Sequence, residues 1–405
     1  MINVSAARPT VVVSRRGADR LKAGHVWVYR SDVIEAKDVS RGAVVLVQEL
    51  SDKNVRPIRA RPPRVLGSAL YSSASEIALR MISPKPVNDL AQLVGERIRA
   101  AIAYRERFVQ DTNAYRVIFS EGDVLPGLIV DRYNDLLSVQ TLTQAMDSEA
   151  LRSVFVSELR ELLQPESIAE RVDPRVRKLE QLPEKQSGLI FGTKTSTEFQ
   201  MNGVSFLYDA IEGQKTGAFL DQRENYATAA QYARGEALDV FCYQGGFALH
   251  LARNCEKVTG VDSSRPALEV AERNAALNGQ DIEWIEANAF DLLRDYSDVG
   301  RHYDCIVLDP PAFAKSKQNL PTALRGYKEL NLRALKMLRP GGILVTCSCS
   351  YHVSTSDLLD MLSAAALDSH RILRLLENRG QAKDHPTVLT IPETAYLKCL
   401  IAVVS

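Results

Sequence analysis

The chain has 405 residues, equal numbers of acidic and basic side chains, and a hydrophobic share of 45%. This length predicts two or three domains with a substantial core. No stretch reaches the roughly 18 apolar residues of a membrane span, and the first residues lack the pattern of a secretory leader. We therefore expect a cytoplasmic protein without a membrane partner.

The balanced total conceals an asymmetry between the ends of the chain. Residues 1–80 hold fourteen Lys and Arg against seven Asp and Glu, which leaves 36 basic and 43 acidic residues in the rest. The two parts therefore carry formal charges of +7 and −7. A basic N-terminal part suits nucleic acid, although a merely solvated basic surface is an equal alternative.

Cysteine and histidine spacing indicates neither disulfides nor a metal site. The six cysteines have no C-x-x-C spacing, and the six histidines show no ligand pattern. We expect reduced thiols and no metal.

Residues 1–75 contain the short β-rich runs TVVVS, HVWVYR and AVVLVQEL, with the Arg- and Pro-rich RPIRARPPRV between later strands. This pattern predicts a small β-barrel-like domain with exposed arginines.

Residues 76–192 read as a compact α+β domain. Helical spacing predicts a helix over 88–109, followed by three strands separated by turns, a helix over 148–163 and the strand SIAERV. The charged segment PRVRKLEQLPEKQSG, 174–188, contains two prolines and is the best candidate linker.

Residues 193–405 alternate short apolar strands with helices. The strands are ALDVFCY, KVTGVDSS, IEWIEANAF, DCIVLDPP and GILVTCSCS. Such alternation predicts a parallel, doubly wound Rossmann-like sheet in an α/β fold, with its site at the carboxyl edge of the strands.

The first of these strands leads into a glycine turn, LDVFCYQGGFALH. Asp239 ends the strand, and Gly245 and Gly246 allow the backbone to approach a ligand at the start of the next helix. Taken alone, a Gly-Gly pair is also compatible with a plain strand-to-helix turn.

Polar residues also follow the next two strands. Asp262 suits a ribose diol, Asn288 an adenine amine, and Ala289 and Phe290 the two faces of the ring. A dinucleotide would usually require a full G-x-G-x-x-G, which is missing here. The combined pattern favours S-adenosylmethionine.

The fourth strand ends in DPPAF. Two prolines direct Asp309 and the carbonyls of Pro310 and Pro311 into the cleft, where a carboxylate can bind a base edge and Phe313 can stack on it. The alternative is a proline-terminated strand with a solvated aspartate.

The fifth strand carries Cys347 and Cys349 on one face, because their spacing is two. Cys349 lies nearer the carboxyl end, so we predict it as the nucleophile. A thiolate that adds to carbon 6 of a pyrimidine activates carbon 5 for methylation. The other cysteines are expected in the core.

Five motifs in this order, SEGDVLPGLIVDRY, GQKTGAFLDQREN, DVFCYQGGFALH, DPPAFAKSK and SCS, resemble the bacterial large-subunit ribosomal RNA cytosine-5 methyltransferases with an N-terminal PUA domain. The resemblance spans nearly the whole chain. It implies a PUA-like domain over 1–75, a central α+β domain over 76–192 and a Rossmann-like class I methyltransferase over 193–405. It also implies 23S ribosomal RNA as the partner and a homodimer.

The resemblance assigns roles to individual residues. Cys349 would be the nucleophile, with Asp309 as the second catalytic residue. The family's G-H-x-W-V signature falls on Gly24, His25, Trp27 and Val28, and its T-G-x-x-x-D-x-R element on Thr216, Gly217, Asp221 and Arg223. The complete predicted cofactor set is Phe219, Asp221, Arg223, Asp239, Phe241, Tyr243, Gly245, Gly246, Asp262, Asn288, Ala289, Phe290 and Asp309. The predicted substrate contacts are Pro310, Pro311, Phe313, Lys317 and Arg30.

We therefore predict transfer of a methyl group from S-adenosylmethionine to carbon 5 of a cytosine in 23S ribosomal RNA, through a Cys349 adduct. Where other RNA cytosine-5 enzymes carry a second cysteine, this chain has Pro311, so the base that removes the carbon-5 proton is left open. Two alternatives are methylation of an exocyclic amine by the same fold, and a noncatalytic RNA-binding protein.

Overall fold

The computed structural model describes residues 8–50, 64–211, 217–314 and 316–405, arranged in three successive units. Thr216 of the predicted T-G-x-x-x-D-x-R element and most of RPIRARPPRV lie outside the described residues. Across the described ranges, no helix combines the length and apolar character needed to cross a bilayer.

The first unit is a six-stranded sheet with one short helix. Its strands are β1 Thr10–Val13, β2 Trp27–Tyr29, β3 Val33–Glu35, β4 Val44–Glu49, β5 Val65–Tyr71 and β6 Ile77–Ser83, and its helix is α1 Arg15–Lys22. They are ordered β2-β6-β5-β4-β1-β3. Alternate residues such as Val11, Val13, Val45 and Val47 are fully buried, as half-exposed strands require. Because β6 belongs to this sheet, the unit continues beyond the predicted boundary at residue 75.

The second unit packs two helices on a five-stranded sheet. The helices are α2 Leu90–Phe108 and α3 Glu149–Leu163, and the strands are β7 Ala114–Phe119, β8 Leu128–Tyr133, β9 Leu136–Thr141, β10 Ser167–Glu170 and β11 Gly188–Phe191. Ile98, Phe155 and Ile118 are completely buried in the core between the layers. The predicted helix, three strands, second helix and fourth strand are all present.

The segment 174–188 is not the free linker that its charge suggested. It begins with a short helix, α4 Pro174–Leu179, whose Arg177 is buried and forms an ion pair with Asp147 at 3.1 Å. The buried Glu180 accepts a hydrogen bond from Ser72 in the first unit, at 2.7 Å. Charged side chains that find partners fix this segment against two units.

The third unit contains a hairpin and a seven-stranded sheet. The hairpin is β12 Ser196–Met201 with β13 Val204–Asp209, and the sheet strands are β14 Glu236–Val240, β15 Lys257–Asp262, β16 Glu283–Glu286, β17 Tyr303–Leu308, β18 Leu338–Ser348, β19 Leu373–Arg379 and β20 Lys398–Val404. The helices are α5 Arg223–Tyr232, α6 Gly246–Leu251, α7 Arg265–Leu277, α8 Ala289–Asp298, α9 Leu320–Met337 and α10 Thr355–Asp368.

The strand order of this sheet is β16-β15-β14-β17-β18-β20-β19. Strands β14 to β18 are parallel, as predicted. Strand β20 runs antiparallel to β18, and β19 pairs antiparallel with β20 and so runs in the direction of the parallel strands; neither strand was predicted. The chain winds outward from β14 in one direction and from β17 in the other. The crevice between the carboxyl ends of β14 and β17 is therefore the topological switch point, where ligands bind in such sheets.

The segment between β19 and β20, residues 380–397, contacts all three units. The carboxylate of Glu393 lies 3.1 Å from Nε2 of His25 in the first unit. The main-chain carbonyl of Asp384 accepts a hydrogen bond from Arg105 of the second unit at 2.7 Å. Within the third unit, Tyr396 donates to Asp221 at 2.6 Å. We call this segment the junction segment.

Two side chains of the G-H-x-W-V signature, His25 and Trp27, have their partners in the other units. His25 reaches Glu393, and its Nδ1 accepts from the main-chain N–H of Trp27 at 3.0 Å. The Trp27 indole donates to Glu121 of the second unit at 3.0 Å. These side chains join the units to one another.

Candidate active site

The turn after β14 has an unusual backbone that explains its sequence. Phe241, Tyr243 and Gly245 have φ angles of 69°, 50° and 88°, all in the left-handed region. At Gly246, a β-carbon would lie 2.5 Å from the ring of Tyr226, so a side chain has no room there. The predicted glycine turn is therefore a tightly constrained loop at the switch point.

Asp239 lies beneath this loop. Its side chain is fully buried, and Oδ2 accepts from the main-chain N–H of Ala248 at 2.9 Å, while Oδ1 has no protein partner. Burial, opposed by the Ala248 hydrogen bond, raises the pKa of Asp239 to about 8. Asp239 thus anchors the first turn of α6, directly after the loop.

Asp262 stands at the end of β15, as predicted for a ribose-binding carboxylate. Its Oδ2 accepts from the N–H of Tyr243 at 3.0 Å, and its Oδ1 from the N–H of Ser264 at 2.9 Å. Each carboxylate oxygen can accept a second hydrogen bond, so these contacts orient the group and leave acceptor capacity for hydroxyls.

Asn288, the predicted partner of the adenine amine, is exposed and also caps a helix. It is the N-cap of α8, and its Oδ1 accepts from the N–H groups of Phe290 and Asp291 at 2.9 and 3.4 Å. Ala289 is buried, whereas the Phe290 ring is 38% exposed. Asn288 is therefore fixed by the helix that it starts.

A cavity opens beside the glycine loop. Its lining includes Phe219, Phe241, Tyr243, Gly246 and Asp309. The Phe219 ring is 42% exposed, and its centroid lies 5.1 Å from that of Tyr243. Aromatic rings, a glycine main chain and a carboxylate thus meet at one place, as sequence reasoning predicted.

The D-x-R pair of the T-G-x-x-x-D-x-R element separates into two environments. Asp221 is half-buried and accepts from Tyr396. Arg223 is 1% exposed, and its Nη1 lies 3.1 Å from the buried carboxylate of Asp384. The predicted cofactor contact of Arg223 is therefore wrong, because the buried ion pair with Asp384 occupies its guanidinium.

Asp309 follows β17 at the switch point. Its Oδ2 accepts from Gln222 Nε2 at 2.9 Å. Burial, together with the nearby charge of Asp221, raises the pKa of Asp309 to about 7. At neutral pH this carboxyl group can therefore either donate or accept a proton.

The prolines after Asp309 lead to the nucleophile candidate. The buried Pro310 presents its carbonyl to the Cys349 thiol, with Sγ 3.9 Å from the oxygen, whereas Pro311 is exposed. Phe313 packs against Tyr327 with ring centroids 4.8 Å apart, and Lys317 is exposed. The carbonyl of Pro310 thus faces the site, as predicted.

The two cysteines of β18 are distinguished by depth. Cys347 is fully buried and pairs in register with Cys399 on β20. Cys349 lies one residue beyond the last residue of β18 and is half-buried. Burial, with the charges of Asp309 and Asp221, raises the pKa of the Cys349 thiol to about 11. Activation of this thiol therefore needs help from its surroundings.

Arg30, a predicted RNA contact, is half-buried and has main-chain partners within its own unit. Its Nε and Nη2 donate to the carbonyls of Ser72 and Ser75 at 2.7 to 3.1 Å, where they hold the turn between β5 and β6.

In the described part of the chain, no three His, Cys, Asp or Glu side chains form a group that could hold a metal ion.

Sequence reasoning missed four residues around the site: Gln222, Asp384, Tyr396 and Lys398. Gln222 lies inside a recognised motif, so its position next to Asp221 was a usable signal. The other three lie in the junction segment or at the start of β20, far along the chain from every predicted motif. Only the antiparallel return of β20 brings them to the site.

The fold and the loop at its switch point define an S-adenosylmethionine-dependent methyltransferase with an N-terminal PUA-like domain. The corresponding family models match residues 172–401, described as S-adenosylmethionine-dependent methyltransferase, and residues 11–84, described as PUA-like domain. The second match, like the sheet, extends beyond residue 75.

Relatives narrow the family further. Ribosomal RNA large subunit methyltransferase I of Tolumonas auensis is 37% identical over 97% of this chain and 98% of its own. The protein of the same name from Aeromonas hydrophila is 40% identical over 93% of this chain and 94% of its own. The chain belongs to this methyltransferase family.

Solved structures show the same fold over the whole chain. The protein SMU.776, solved in complex with SAH, has a TM-score of 0.81 at 20% identity, and the match covers 98% of this chain and 100% of that protein. A second solved structure, of a protein from Streptococcus mutans, has a TM-score of 0.80 at 19% identity, with the same coverage.

Proposed function

We propose that this enzyme methylates carbon 5 of a cytosine in 23S ribosomal RNA. The observation that carries the proposal is the half-buried thiol of Cys349 against the Pro310 carbonyl, beside Asp309 and the cavity at the switch point. The names of the relatives support large-subunit ribosomal RNA as the substrate.

The site fits S-adenosylmethionine. The left-handed loop leaves no room for a side chain at Gly246, the cavity is lined by Phe219 and Tyr243, and Asp262 retains acceptor capacity for a ribose. These residues would hold the cofactor. When bound, it supplies an electrophilic methyl group.

Cys349 would act as the nucleophile on the cytosine, and Asp309 as the acid. The Cys349 thiolate forms a bond to carbon 6, and the electron pair of the 5,6 double bond makes carbon 5 nucleophilic. A neutral Asp309 donates its proton to N3 as negative charge develops on the ring. After carbon 5 has taken the methyl group, its proton leaves to a base and the sulfur–carbon bond breaks, which restores the thiolate. N3 then returns its proton to Asp309, so that the product and the enzyme are both restored to their neutral forms.

Two alternatives make different demands on Cys349. A methyltransferase for an exocyclic amine also suits a DPP motif followed by an aromatic residue, but it needs no thiol. A noncatalytic RNA-binding protein would need neither the thiol nor the cofactor.

The experiment that separates them uses tritiated S-adenosylmethionine and ribosomal RNA from cells that lack this gene. We expect label in 5-methylcytidine after nucleoside analysis. Cys349→Ala should reduce transfer at least about 1,000-fold while binding the cofactor nearly normally. The matched control Cys347→Ala, which removes the neighbouring buried thiol, should keep substantial activity.

Three results would overturn the proposal. Label in a methylated exocyclic amine with full activity of Cys349→Ala would indicate amine chemistry. Absence of cofactor binding to the wild type would indicate a noncatalytic protein. Loss of cofactor binding together with activity in Cys349→Ala would remove the assigned role of the thiol.

Two further expectations belong to this proposal: the enzyme acts in the cytoplasm, where ribosomal RNA is processed, and it forms a homodimer. Light scattering of the purified protein tests the dimer, and a monomer mass would remove it.

A further inference from the structure

Lys398, the first residue of β20, is a buried lysine without an acidic partner. Its side chain is 7% exposed. The ammonium donates to the main-chain carbonyls of Ser350 at 2.6 Å and Tyr396 at 2.8 Å. No carboxylate among the described residues lies within ion-pair distance of its Nζ. Burial of such a cation is costly unless something nearby uses the charge.

Strand pairing places this lysine beside the nucleophile. Lys398 is the register partner of Ser348, the last residue of β18, and Cys349 follows directly. The Ser350 carbonyl that Lys398 holds belongs to the residue after Cys349. The ammonium therefore fixes the main chain on the far side of the thiol, just where strand pairing ends.

Charged groups from several elements face this thiol. Asp309 after β17 and Asp221 before α5 both raise the pKa of Cys349, in addition to burial, while the charge of Lys398 lowers it. Tyr327 of α9 also interacts with the thiol: burial raises the pKa of Tyr327, and the Cys349 charge adds to the rise. The charge of Asp357 of α10 raises the pKa of Lys398, against the larger effect of burial. Lys398 thus opposes two carboxylates at the thiol.

We propose that Lys398 is a positioning residue for the nucleophile: its ammonium holds the Ser350 carbonyl and stabilises the Cys349 thiolate. The thiol gives its proton to solvent, Lys398 keeps its own protons, and the thiolate then attacks. Burial lowers the pKa of Lys398 to about 8, so the ammonium is present at neutral pH. This inference rests on the proposed function, in which Cys349 is the nucleophile.

The test measures the thiol itself, with neither RNA nor cofactor present. The full-length protein is alkylated with iodoacetamide between pH 7 and 10, and the modification of Cys349 is followed by peptide mass spectrometry. Lys398→Gln removes the charge but keeps a hydrogen-bond donor, whereas Lys398→Arg keeps the charge. Cys255, a partly buried cysteine elsewhere in the third unit, is the internal control.

We expect Lys398→Gln to raise the pKa of Cys349 by about one unit, which slows its alkylation about tenfold at pH 7, where the wild-type ammonium is present. Lys398→Arg should stay within about threefold of the wild type. Cys255 should react equally in all three proteins. If Lys398→Gln alters the circular dichroism spectrum, Lys398→Met, which fills the space without charge, replaces it.

A wild-type pH profile for Cys349 in Lys398→Gln would overturn the inference. An equal loss in Lys398→Arg and Lys398→Gln would do so as well, because it would reduce Lys398 to a packing role. Failure of the proposed function is a separate result: a wild type that forms no 5-methylcytidine would disprove the substrate assignment whatever the alkylation rates show.

Discussion

The two side chains proposed to react, Asp309 and Cys349, both titrate outside their ordinary ranges because both are shielded from water. The pKa of Asp309 is raised to about 7 and that of Cys349 to about 11, in each case mainly by burial. Shielding makes Asp309 a usable acid at neutral pH, but it makes the thiolate scarce. The same environment thus favours one step and opposes the other.

This combination predicts an unusual pH dependence of kcat. Below pH 7, Asp309 is neutral and the rate should rise about tenfold per pH unit with the thiolate. Above pH 7, neutral Asp309 declines as fast as the thiolate grows, so the rate should level off. Single-turnover rates between pH 6 and 9 test this. A wild-type rate that keeps rising above pH 7 would exclude neutral Asp309 as the acid.

Asp309→Asn provides the control for that profile. An amide has no proton to transfer to N3, so we expect a rate at least about 100-fold lower at pH 7. Since the amide does not titrate, the remaining activity should rise through the whole range without levelling off. A plateau near pH 7 in this variant would assign the plateau to another group.

At the scale of single elements, helix starts and strand ends supply the geometry of the cofactor loop. The N-cap of α8 holds Asn288 at the edge where the adenine was expected, and the main-chain N–H of Tyr243 and Ser264 hold Asp262. These polar side chains accept hydrogen bonds from main-chain N–H groups, because an unsatisfied N–H at the start of a helix is costly.

Substitution of Asn288 separates its capping role from a contact with adenine. Asn288→Ala should lower the free energy of unfolding by about 1 kcal/mol, measured by urea denaturation, because the cap is lost. Asn288→Ser keeps a capping oxygen on a shorter side chain, so stability should be retained and cofactor affinity, measured by calorimetry, should stay within about threefold. A large loss of cofactor affinity in the stable Asn288→Ser variant would indicate that Asn288 contacts the adenine directly.

At the scale of the whole molecule, the junction segment connects the three units through buried charge. The Asp384 carboxylate accepts from the N–H of Arg116 at 2.8 Å and pairs with Arg223. Burial alone would raise the pKa of Asp384, but His385, Arg223 and the Arg116 N–H together hold it well below its usual range. One carboxylate thus joins the second unit to the catalytic unit.

Loss of this carboxylate should be strongly destabilising. We expect Asp384→Ala to lower the free energy of unfolding by about 3 to 5 kcal/mol at pH 7, because Arg223 would be left buried without a partner. Since the folded pKa is lowered, the contribution of Asp384 is present above its ordinary pKa and is lost as the pH falls towards the folded value. The difference between the two proteins should therefore shrink below about pH 4.

Urea denaturation at pH 7 and pH 3.5, followed by the fluorescence of Trp27 and Trp284, measures this difference in the first and third units. The neighbouring exposed Lys383→Ala is the matched control and should change stability by less than about 0.5 kcal/mol. A destabilisation that is independent of pH would contradict the electrostatic origin.

The amino-acid sequence by itself determined the unit order, the parallel strands β14 to β18, the glycine loop, Asp262, the DPP end of β17 and the preference for Cys349 over Cys347. These features are local: a periodic pattern, a turn residue or the end of a strand is written in adjacent positions. Tertiary structure decided the partners. The sequence suggests Arg223 and Arg30 as ligand contacts. In the structure, Arg223 forms an ion pair with Asp384 and Arg30 donates to the Ser72 carbonyl, each more than 40 positions away in the chain. Lys398 reaches Cys349 only because β20 returns antiparallel to β18, and such long-range pairing leaves no mark on the sequence near either residue.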